Sequence, residues 1–388
     1  MTRFEKRREF KMSEKYAVII DAVRSPIGVK NGKMIGIRPD TLSAEVIKAL
    51  LKRNPKLPLE KIEDVVLGCA FPEATQGMLL ARAAAVLAGI PKEAGAKVVN
   101  RFCGSSMDAV HQLNQAIIAG DLECGIAVGT EDMFSVPMGG YNPSFHPELV
   151  KKNFYIGMGE TAENLAKELN ISREDQEEFA IASHRKALEA HAQGRFKNEI
   201  VPIEFNGQVI DRDEGPREPD LEKIRSLPPV FDKNGTVTAA TSSPISIGSA
   251  AVLVMSNTLA EELGLKPRAR IIARAVAGVE WEKMGKGPIP ASAKALKRAG
   301  MTIDDIDYIE LNEAFAAQSL YVIRKTGWPM EKINLNGGAI ALGHPLGCSG
   351  ARILTTLLNV MEQNDGRFGL ATMCIGSGQG IATIIERM

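Results

Sequence analysis

The sequence predicts a layered α/β fold built on a largely parallel sheet. Short apolar runs typical of buried strands alternate with longer amphipathic segments typical of helices. Strands that alternate with helices in this way favour parallel sheets covered by helices. The order of elements in the first half returns in the second, and 388 residues exceed what one small core needs. We therefore expect two similar halves.

Strands and helices alternate through the first half of the chain. The predicted strands are KYAVIIDAV (15–23), IEDVVLGCAF (62–71), AKVVN (96–100) and CGIAVGTED (124–132). The predicted helices are DTLSAEVIKALLKRN (40–54), GMLLARAAAVLAG (77–89) and SSMDAVHQLNQAIIAG (105–120). The loop-rich segment 133–235 interrupts this pattern with two polar helices over 161–194, and strands resume at 249–256 and 269–278. We interpret 133–235 as an insertion with the composition of a lid.

An internal repeat relates the two halves. Residues 43–71 can be laid beside 290–315, where both segments give a helix, an acidic turn and a strand. Residues 97–117 can be laid beside 332–361, where a strand leads through a Gly/Ser turn into a helix. Two similar halves imply a pseudo-twofold arrangement in which the strand–helix junctions face a shared centre.

The predicted domain boundaries follow from these patterns. We expect a flexible tail over 1–14, a first half over 15–264 that contains the insertion 133–235, and a second half over 265–388. The tail mixes basic and acidic residues and has no apolar middle, which argues against a secretory signal.

Composition and charge exclude several classes of protein. Lys plus Arg equals Asp plus Glu at 47 each, so the basic excess expected of nucleic-acid or membrane-surface binders is missing. No run of 18 uncharged apolar residues predicts a membrane span. The five cysteines form no CxxC pair, which predicts reduced thiols in a cytoplasmic setting and favours catalysis over crosslinking for any special cysteine.

Cys103 is the first candidate for chemistry. The turn CGSS places it between a predicted strand and a predicted helix. Backbone N–H groups and the positive end of the helix dipole would then stabilise its thiolate, which predicts a lowered pKa. A buried structural cysteine is the alternative, because free cysteines are commonly buried.

Three residues of the second half favour the catalytic interpretation. His344 stands in the glycine-bounded turn GHPLG, Cys374 ends a predicted strand before GSGQG, and Asn312 follows the strand YIEL. Glu313 beside it is expected to orient the loop. Active sites of open α/β sheets tend to lie at the carboxyl ends of strands, so we expect these groups to converge.

The segments NRFCGSSMDA, NEAFAAQ, GGAIALGHPLGCSGAR and CIGSGQG, in this order, resemble the thiolase family over nearly the whole chain after residue 15. The sequence is most similar to the degradative 3-ketoacyl-CoA thiolases, in particular the bacterial subunits of fatty-acid β-oxidation. The resemblance implies a five-layered α-β-α-β-α fold made of two βαβαβαββ halves, with a loop domain, 133–235, that covers CoA. It also implies thiolysis of 3-ketoacyl-CoA to acetyl-CoA and a shortened acyl-CoA.

The resemblance also implies a role for each candidate. Cys103 would be the nucleophile that becomes acylated, and His344 the base that takes its proton. Cys374 would protonate the acetyl-CoA enolate and then deprotonate the incoming CoA. His344 and a water held by Asn312 would stabilise the enolate oxygen, and the N–H groups of Cys103 and Gly376 the acyl oxygen.

Binding residues and partners follow from the same resemblance. It implies contacts to CoA or the acyl chain from Met158, Arg217, Ala239, Ser243, Phe315 and Ala316. CoA would be a substrate, with no metal or other cofactor. A homodimer or homotetramer is implied, as is a complex with a hydratase/dehydrogenase subunit. The sequence departs from the family at Ile247, where an acidic residue is usual, and at 150–157, which lacks a histidine of some short-chain members.

Several alternatives stay open on the sequence. A biosynthetic acetoacetyl-CoA thiolase, a Claisen-type condensing enzyme and a non-catalytic lipid-binding relative share parts of this pattern. A zinc site of Cys103, His344, Cys348 and Cys374 is disfavoured, because only His344 and Cys348 approach the usual ligand spacing and Pro345 lies between them. Cys69 and Cys124 are expected in the core, Cys348 as support for the site, and His111 as a packed or surface residue. His146, His184 and His191 are expected to be solvent-facing or structural.

Overall fold

The computed structural model describes residues 15–388, so the tail expected over 1–14 lies outside the described residues. The strands, in chain order, are β1 (Ala17–Arg24), β2 (Gly28–Val29), β3 (Asp64–Gly68), β4 (Gly95–Val99), β5 (Cys124–Asp132), β6 (Ile203–Phe205), β7 (Gln208–Ile210), β8 (Ser246–Ser256), β9 (Ala269–Gly278), β10 (Tyr308–Leu311), β11 (Phe368–Ile375) and β12 (Gln379–Arg387).

The α-helices are α1 (Pro39–Arg53), α2 (Leu80–Leu87), α3 (Ser105–Ala119), α4 (Pro147–Lys151), α5 (Met158–Glu168), α6 (Arg173–Ala192), α7 (Leu221–Ser226), α8 (Asn257–Glu262), α9 (Pro288–Ala299), α10 (Ala316–Thr326), α11 (Ala339–Leu342) and α12 (Ser349–Gln363). Each predicted helix and strand of the first half has a counterpart among these elements.

The sheet repeats one strand order in both halves. Its order is β10-β11-β12-β9-β1-β8-β5-β3-β4, with β2 added beside β8, while β6 and β7 form a separate hairpin. β3, β5, β8 and β1 in the first half correspond to β10, β11, β12 and β9 in the second, and a parallel bridge between Ile309 and Ile333 takes the place of β4. This correspondence confirms the internal repeat.

The expectation of a largely parallel sheet is wrong. Among the described strands of the large sheet, only the pairs β3–β4, β3–β5 and β10–β11 are parallel. β12 follows β11 through the turn 376–378, and so short a connection permits only an antiparallel pair. β8, which returns after the insertion, pairs antiparallel with both β5 and β1. The sheet is therefore mixed.

Three apolar clusters divide the molecule into five layers. One cluster lies between the first-half strands and the helices α1 and α2. Another lies between the second-half strands and the helices α9 and α10. The remaining cluster of the three surrounds α3 and α12, which lie between the strands of the first half and those of the second. The order is thus helix, sheet, helix, sheet, helix, which confirms the five-layered α-β-α-β-α fold.

The central helices α3 and α12 begin at the two junctions that carry Cys103 and His344. They approach each other so closely that a Cβ at Gly350 would lie 2.3 Å from the backbone nitrogen of Met107. A real Cβ essentially never lies under 3.0 Å from an atom to which it is not bonded, so only glycine permits this crossing. The beginnings of the two helices are thereby held together at the middle of the molecule.

The segment 133–235 carries α4 to α7 and the β6–β7 hairpin, and its two predicted polar helices are α5 and α6. A buried arginine fastens it to the sheet. Arg24, at the end of β1, donates from Nη1 and Nη2 to the carboxylate of Asp213 (2.6 and 2.9 Å) and from Nε to Glu199 (2.7 Å). Buried charges need such complete pairing. No helix between residues 15 and 388 has the length and apolar character needed to cross a bilayer.

Candidate active site

Cys103 lies in the 3-10 turn Phe102–Gly104 that leads directly into α3. Its side chain is buried at 8% exposure, and the backbone N–H groups of Gly376 and of Cys103 itself lie close enough to the sulfur to favour its thiolate. Gly104 and Ser105 are also buried. A nucleophilic sulfur at the start of α3 thus faces two N–H donors from opposite halves of the chain.

The predicted lowering of the Cys103 pKa is wrong. Burial raises the pKa of the thiol to about 11, with a further contribution from the carboxylate of Glu131, and the two N–H groups offset only part of this rise. Removal from water penalises the thiolate more than a helix terminus stabilises it. At rest the thiol is therefore protonated, and its activation requires a base.

Cys374 and Gly376 stand at the end of β11. Cys374 is fully buried, and burial raises its pKa well above the usual thiol value. The charge of an ionised Cys103 raises that pKa further, which shows that the two sulfurs share one region. A Cβ at Gly376 would lie 3.5 Å from Met158 Sδ and 3.6 Å from the Phe102 ring. Gly376 therefore lies in ordinary contact with Met158 and with Phe102, the residue before Cys103.

His344 is held by serine hydroxyls. Its backbone N–H donates to Ser246 Oγ (2.9 Å), and its Nδ1 lies 2.5 Å from Ser349 Oγ. The Ser349 hydroxyl donates to the carbonyl oxygen of Pro345 (2.9 Å), so its oxygen accepts from Nδ1–H. This assignment places the ring proton on Nδ1 and makes Nε2 a hydrogen-bond acceptor.

The Nε2 of His344 accepts a long hydrogen bond from Asn312. Asn312 Nδ2 lies 3.4 Å from it, and Asn312 Oδ1 is buried with no hydrogen-bond partner within 15–388. Burial and the positive charge of Arg352 lower the pKa of His344 to about 3. The imidazole is therefore neutral at physiological pH and able to accept a proton.

A continuous set of contacts joins these groups. The Asn312 N–H donates to the carbonyl oxygen of Thr372 (3.0 Å), two residues before Cys374 on β11. Cys374 leads to Gly376, whose N–H reaches Cys103. Asn312 thus links His344 to β11, and the end of β11 carries Cys374 and Gly376 to the turn of Cys103. This arrangement can activate one sulfur as a nucleophile beside a second acidic group.

Comparison with known protein families identifies both halves. The model of the thiolase N-terminal domain matches residues 17–258, and that of the thiolase C-terminal domain matches 265–387. The chain belongs to the thiolase family. Relatives named 3-ketoacyl-CoA thiolase are 54% identical in Shewanella loihica over 386 residues and 53% identical in Aeromonas hydrophila over 387, each covering 96% of this chain and 100% of the relative. The relative of the same name in Alcanivorax borkumensis is 52% identical over 390 residues, 97% of this chain and 100% of its own.

Three of the predicted binding residues of this thiolase adjoin one another. The Ser243 N–H donates to the carbonyl oxygen of Ala314 (3.0 Å), beside a backbone bridge between Ser242 and Phe315. The Phe315 ring packs edge-on against Phe231 at 5.8 Å between centroids. Ala316, buried, begins α10 directly after it.

The other predicted binding residues lie elsewhere. Met158 begins α5 and lies beside Gly376. Ala239 is exposed in a 3-10 turn before Ser243. Arg217 is exposed too, and its N–H donates to His184 Nδ1 at 3.4 Å. No contact with the groups around Cys103 is described for Ala239 or Arg217, so their assignment stays a prediction.

Ile247 has a packing explanation. It is fully buried on β8 in an apolar cluster with Met34 and Ile210, and a Cβ on Gly28 would lie 2.7 Å from Ile247 Cγ2. An acidic side chain here would lose its hydration without a charged partner. The isoleucine therefore suits the apolar cluster in which the β6–β7 hairpin of the insertion packs against β8.

The remaining cysteines and histidines are mostly structural. Cys69 and Cys124 are fully buried in the core, as expected, and His111 is packed with Nε2 at 2.8 Å from Thr383 Oγ1. Cys348 is buried at the start of α12. His184 is also buried, whereas His146 is exposed.

Sequence analysis missed Ser349, Ser246 and Glu131. Serines near a histidine carry no distinctive pattern, so Ser349 could be found only from the position one turn after His344. Glu131 could have been found from the internal repeat. It lies in GTED at the end of β5, and the corresponding strand β11 ends in CIGSG, which contains Cys374.

Proposed function

We propose that this thiolase cleaves 3-ketoacyl-CoA with CoA to acetyl-CoA and a shortened acyl-CoA, the last step of fatty-acid β-oxidation. The observation that supports this most is the pair of buried thiols, Cys103 and Cys374, close enough for the charge of one to raise the pKa of the other. Thiolysis needs two separate proton transfers, and a second thiol beside the nucleophile supplies the second. Three relatives with 52–54% identity carry the name of this activity.

Acylation begins when His344 Nε2 takes the proton of Cys103. The sulfur attacks the 3-keto carbon, and the resulting oxyanion accepts hydrogen bonds from the backbone N–H groups of Cys103 and Gly376. Donors of this kind typically contribute about 10²- to 10³-fold in rate. The bond between C2 and C3 then breaks, the acyl group stays on Cys103 as a thioester, and C2 takes the proton of Cys374 to give acetyl-CoA.

The enolate of acetyl-CoA is stabilised during this cleavage. Its oxygen accepts from the protonated Nε2 of His344 and from a water bound to Asn312. The unpartnered Oδ1 of Asn312 supports the second part of this assignment, because a buried carbonyl oxygen requires a donor.

Deacylation returns the enzyme to its starting state. The Cys374 thiolate takes the proton of an incoming CoA thiol, whose sulfur attacks the thioester carbonyl. The tetrahedral intermediate again accepts the two N–H groups and expels Cys103, which recovers its proton from His344. CoA acts as a substrate throughout, and the proposal includes no metal or other cofactor.

The decisive test is thiolysis of 3-ketoacyl-CoA substrates of increasing chain length by wild-type protein and Cys103→Ala. Wild-type protein should form acetyl-CoA and a Cys103 thioester visible by mass spectrometry, whereas the variant should form neither, because it lacks the attacking sulfur. Acetyl-CoA production by Cys103→Ala at the wild-type rate would refute the nucleophile. Activity restricted to the four-carbon substrate would indicate an acetoacetyl-CoA thiolase instead.

We also propose a homodimer or homotetramer in the cytoplasm. β4 is an edge strand beside an exposed apolar segment in which Met78 is 98% exposed and Leu79, Val86 and Leu87 are about half exposed. Edge strands and exposed apolar patches commonly pair with another chain. All five cysteines are free and buried, which fits a reducing compartment. A complex with a hydratase/dehydrogenase subunit stays a prediction.

A further inference from the structure

The segment that carries His344 lies between two buried glutamates, one from each half of the chain. We call residues 343–348 the histidine turn. Before it, Glu313 Oε2 accepts the N–H of Ile340 (3.2 Å). Within it, the N–H of Gly347 donates to Glu131 Oε2 (2.8 Å). Glu313 follows β10 of the same half, whereas Glu131 belongs to β5 of the other half.

Glu131 is surrounded by donors. Beside Gly347, its carboxylate accepts the N–H groups of Ala70 (2.7 Å) and Phe71 (3.1 Å) and the Nε2 of Gln76 (3.1 Å). The Cys69 thiol lies 3.6 Å from Oε1. The side chain is 1% exposed. Burial raises the pKa of the Glu131 carboxyl, and these donors offset part of the rise by stabilising its ionised form. The ionised form is an acceptor only and matches this set of donors, whereas an amide would turn its own N–H groups against some of them.

The backbone of the histidine turn packs directly against the backbone of the first half, with no room for a side chain at Gly347. A Cβ at Gly347 would lie 2.7 Å from Cys69 Cα, from the carbonyl oxygen of Gly68 and from Glu131 Oε2. A Cβ at Gly129 would lie 2.6 Å from the carbonyl oxygen of Gly347. The turn is therefore inserted between the ends of β3 and β5, and Glu131 is the side chain that fixes it there.

The same part of the first half carries Cys103. Ser106, on the first turn of α3, donates from Oγ to the carbonyl oxygen of Cys348 (3.1 Å) and accepts the N–H of Ala351 (2.8 Å). The Glu131 carboxylate is close enough to Cys103 to raise the pKa of its thiol. Glu131 thus contacts the turn that holds the base and acts electrostatically on the nucleophile.

We propose that Glu131 is a positioning residue that sets the separation of His344 and Cys103 by holding Gly347 against the ends of β3 and β5. The inference rests on the proposed roles of Cys103 and His344. Proton transfer requires heavy atoms within about 2.6 to 3.2 Å of each other or one bridging water. A misplacement of about 1 Å reduces rates by about 10²-fold. A displaced turn would therefore slow acylation without removing any group that touches the substrate.

The test is Glu131→Gln, which preserves shape but replaces an acceptor oxygen with donors. We expect kcat for thiolysis to fall at least about 10-fold while KM for 3-ketoacyl-CoA stays within about twofold. Loss of the negative charge should also lower the pKa of Cys103. The pH profile of its alkylation by iodoacetamide, followed by mass spectrometry of the Cys103 peptide, should move to lower pH. Wild-type kcat, or a fall in kcat with an unmoved alkylation profile, would overturn the proposal.

Two matched variants complete the design. Glu313→Gln removes the other buried carboxylate and should lower kcat. It should leave the Cys103 alkylation profile in place, because Glu313 contacts Ser183, Asn334 and Ile340. Glu131→Asp keeps the charge but shortens the reach to Gly347, so kcat should fall while the alkylation profile stays at its wild-type position. Should Glu131→Gln fail to fold, Glu131→Asp decides, and wild-type kcat in that variant overturns the proposal.

Failure of the proposed function has a different signature. Wild-type protein that cleaves no 3-ketoacyl-CoA would refute the thiolysis reaction. The alkylation profile of Cys103 needs no substrate, so it still decides whether Glu131 acts on the nucleophile.

Discussion

The thiols of Cys103 and Cys374 and the imidazole of His344 are buried, and burial favours the neutral form of each. Proton transfers in the site thus begin from neutral partners. The positions of these residues at strand ends were predictable from glycine-rich turns. The direction of the Cys103 pKa was not, because desolvation depends on how completely the second half covers the turn before α3.

Cys374→Ser is expected to separate acylation from turnover. A serine hydroxyl holds its proton far more tightly than a thiol, so it is a poor acid and base for the enolate and for CoA. We expect the Cys103 thioester to form still, while steady-state thiolysis falls about 10²- to 10⁴-fold. Mass spectrometry of the acyl-enzyme measures acylation, and release of the shortened acyl-CoA measures complete turnover.

Cys124→Ala is the matched control, because Cys124 is equally buried but lies in the core of the first half. Its turnover should stay near the wild-type value. Normal turnover in Cys374→Ser would refute the acid/base assignment.

At the scale of elements, the crossing of α3 and α12 brings the two junctions together. Both helices were predictable from their apolar periodicity, and the Gly/Ser turns before them from composition. Their mutual contact was not, because Gly350 and Met107 lie far apart in sequence and nothing local records the approach. The antiparallel returns of β8 and β12 were missed for a similar reason, since alternation of strands and helices does not encode strand direction.

Gly350→Ala should disrupt this crossing. The added methyl group would lie 2.3 Å from the Met107 nitrogen and 2.7 Å from its Cβ, so one helix must move. Overpacking of this kind typically costs about 1 to 3 kcal/mol, and the free energy of unfolding in urea should fall by that amount. kcat should fall as well, because α3 and α12 begin at the residues of the site.

Gly278→Ala provides the comparison. The nearest atom to a Cβ at Gly278 is a carbonyl oxygen at 3.9 Å, so the methyl group fits without displacement. Equal stability of the two variants would show that the close approach of α3 and α12 is not needed.

At the scale of the molecule, buried histidines link stability to pH. Burial lowers the pKa of His111 and of His344 to about 3, and that of His184 to about 4. The ordinary value is about 6.5. Below that pH these histidines bind protons in the unfolded chain but stay neutral in the folded one. The free energy of unfolding therefore decreases as pH falls from about 6.5 towards 4.

We expect the free energy of unfolding to drop between pH 7.5 and 5.0 by about 2 kcal/mol for each such histidine. Urea denaturation at the two pH values measures the drop. His111→Gln, which keeps a polar group for Thr383, should lose less between pH 7.5 and 5.0 than the wild-type chain. Equal or greater stability at pH 5.0 would contradict the depressed pKa values.

The two halves and their repeat were visible in the sequence, yet their junction was not. Apart from the central helices, the halves join in the sheet through just the pairs Val18–Arg270 and Ile19–Ala269 of β1 and β9. So short a ladder has no sequence pattern of its own. The site predictions succeeded in naming residues because each motif is local, whereas the distances between motifs belong to the assembled molecule.

The contact between Cys103 and the Gly376 N–H has a consequence for synthesis on the ribosome. Gly376 lies in the turn between β11 and β12, so this donor is synthesised long after the sulfur of Cys103. Since domains fold as units during translation, beginning at the N-terminus, a truncated product would contain the sulfur without the imidazole, the second thiol or the donor. Thiolysis therefore requires both halves of the polypeptide, although the nucleophile belongs to the first.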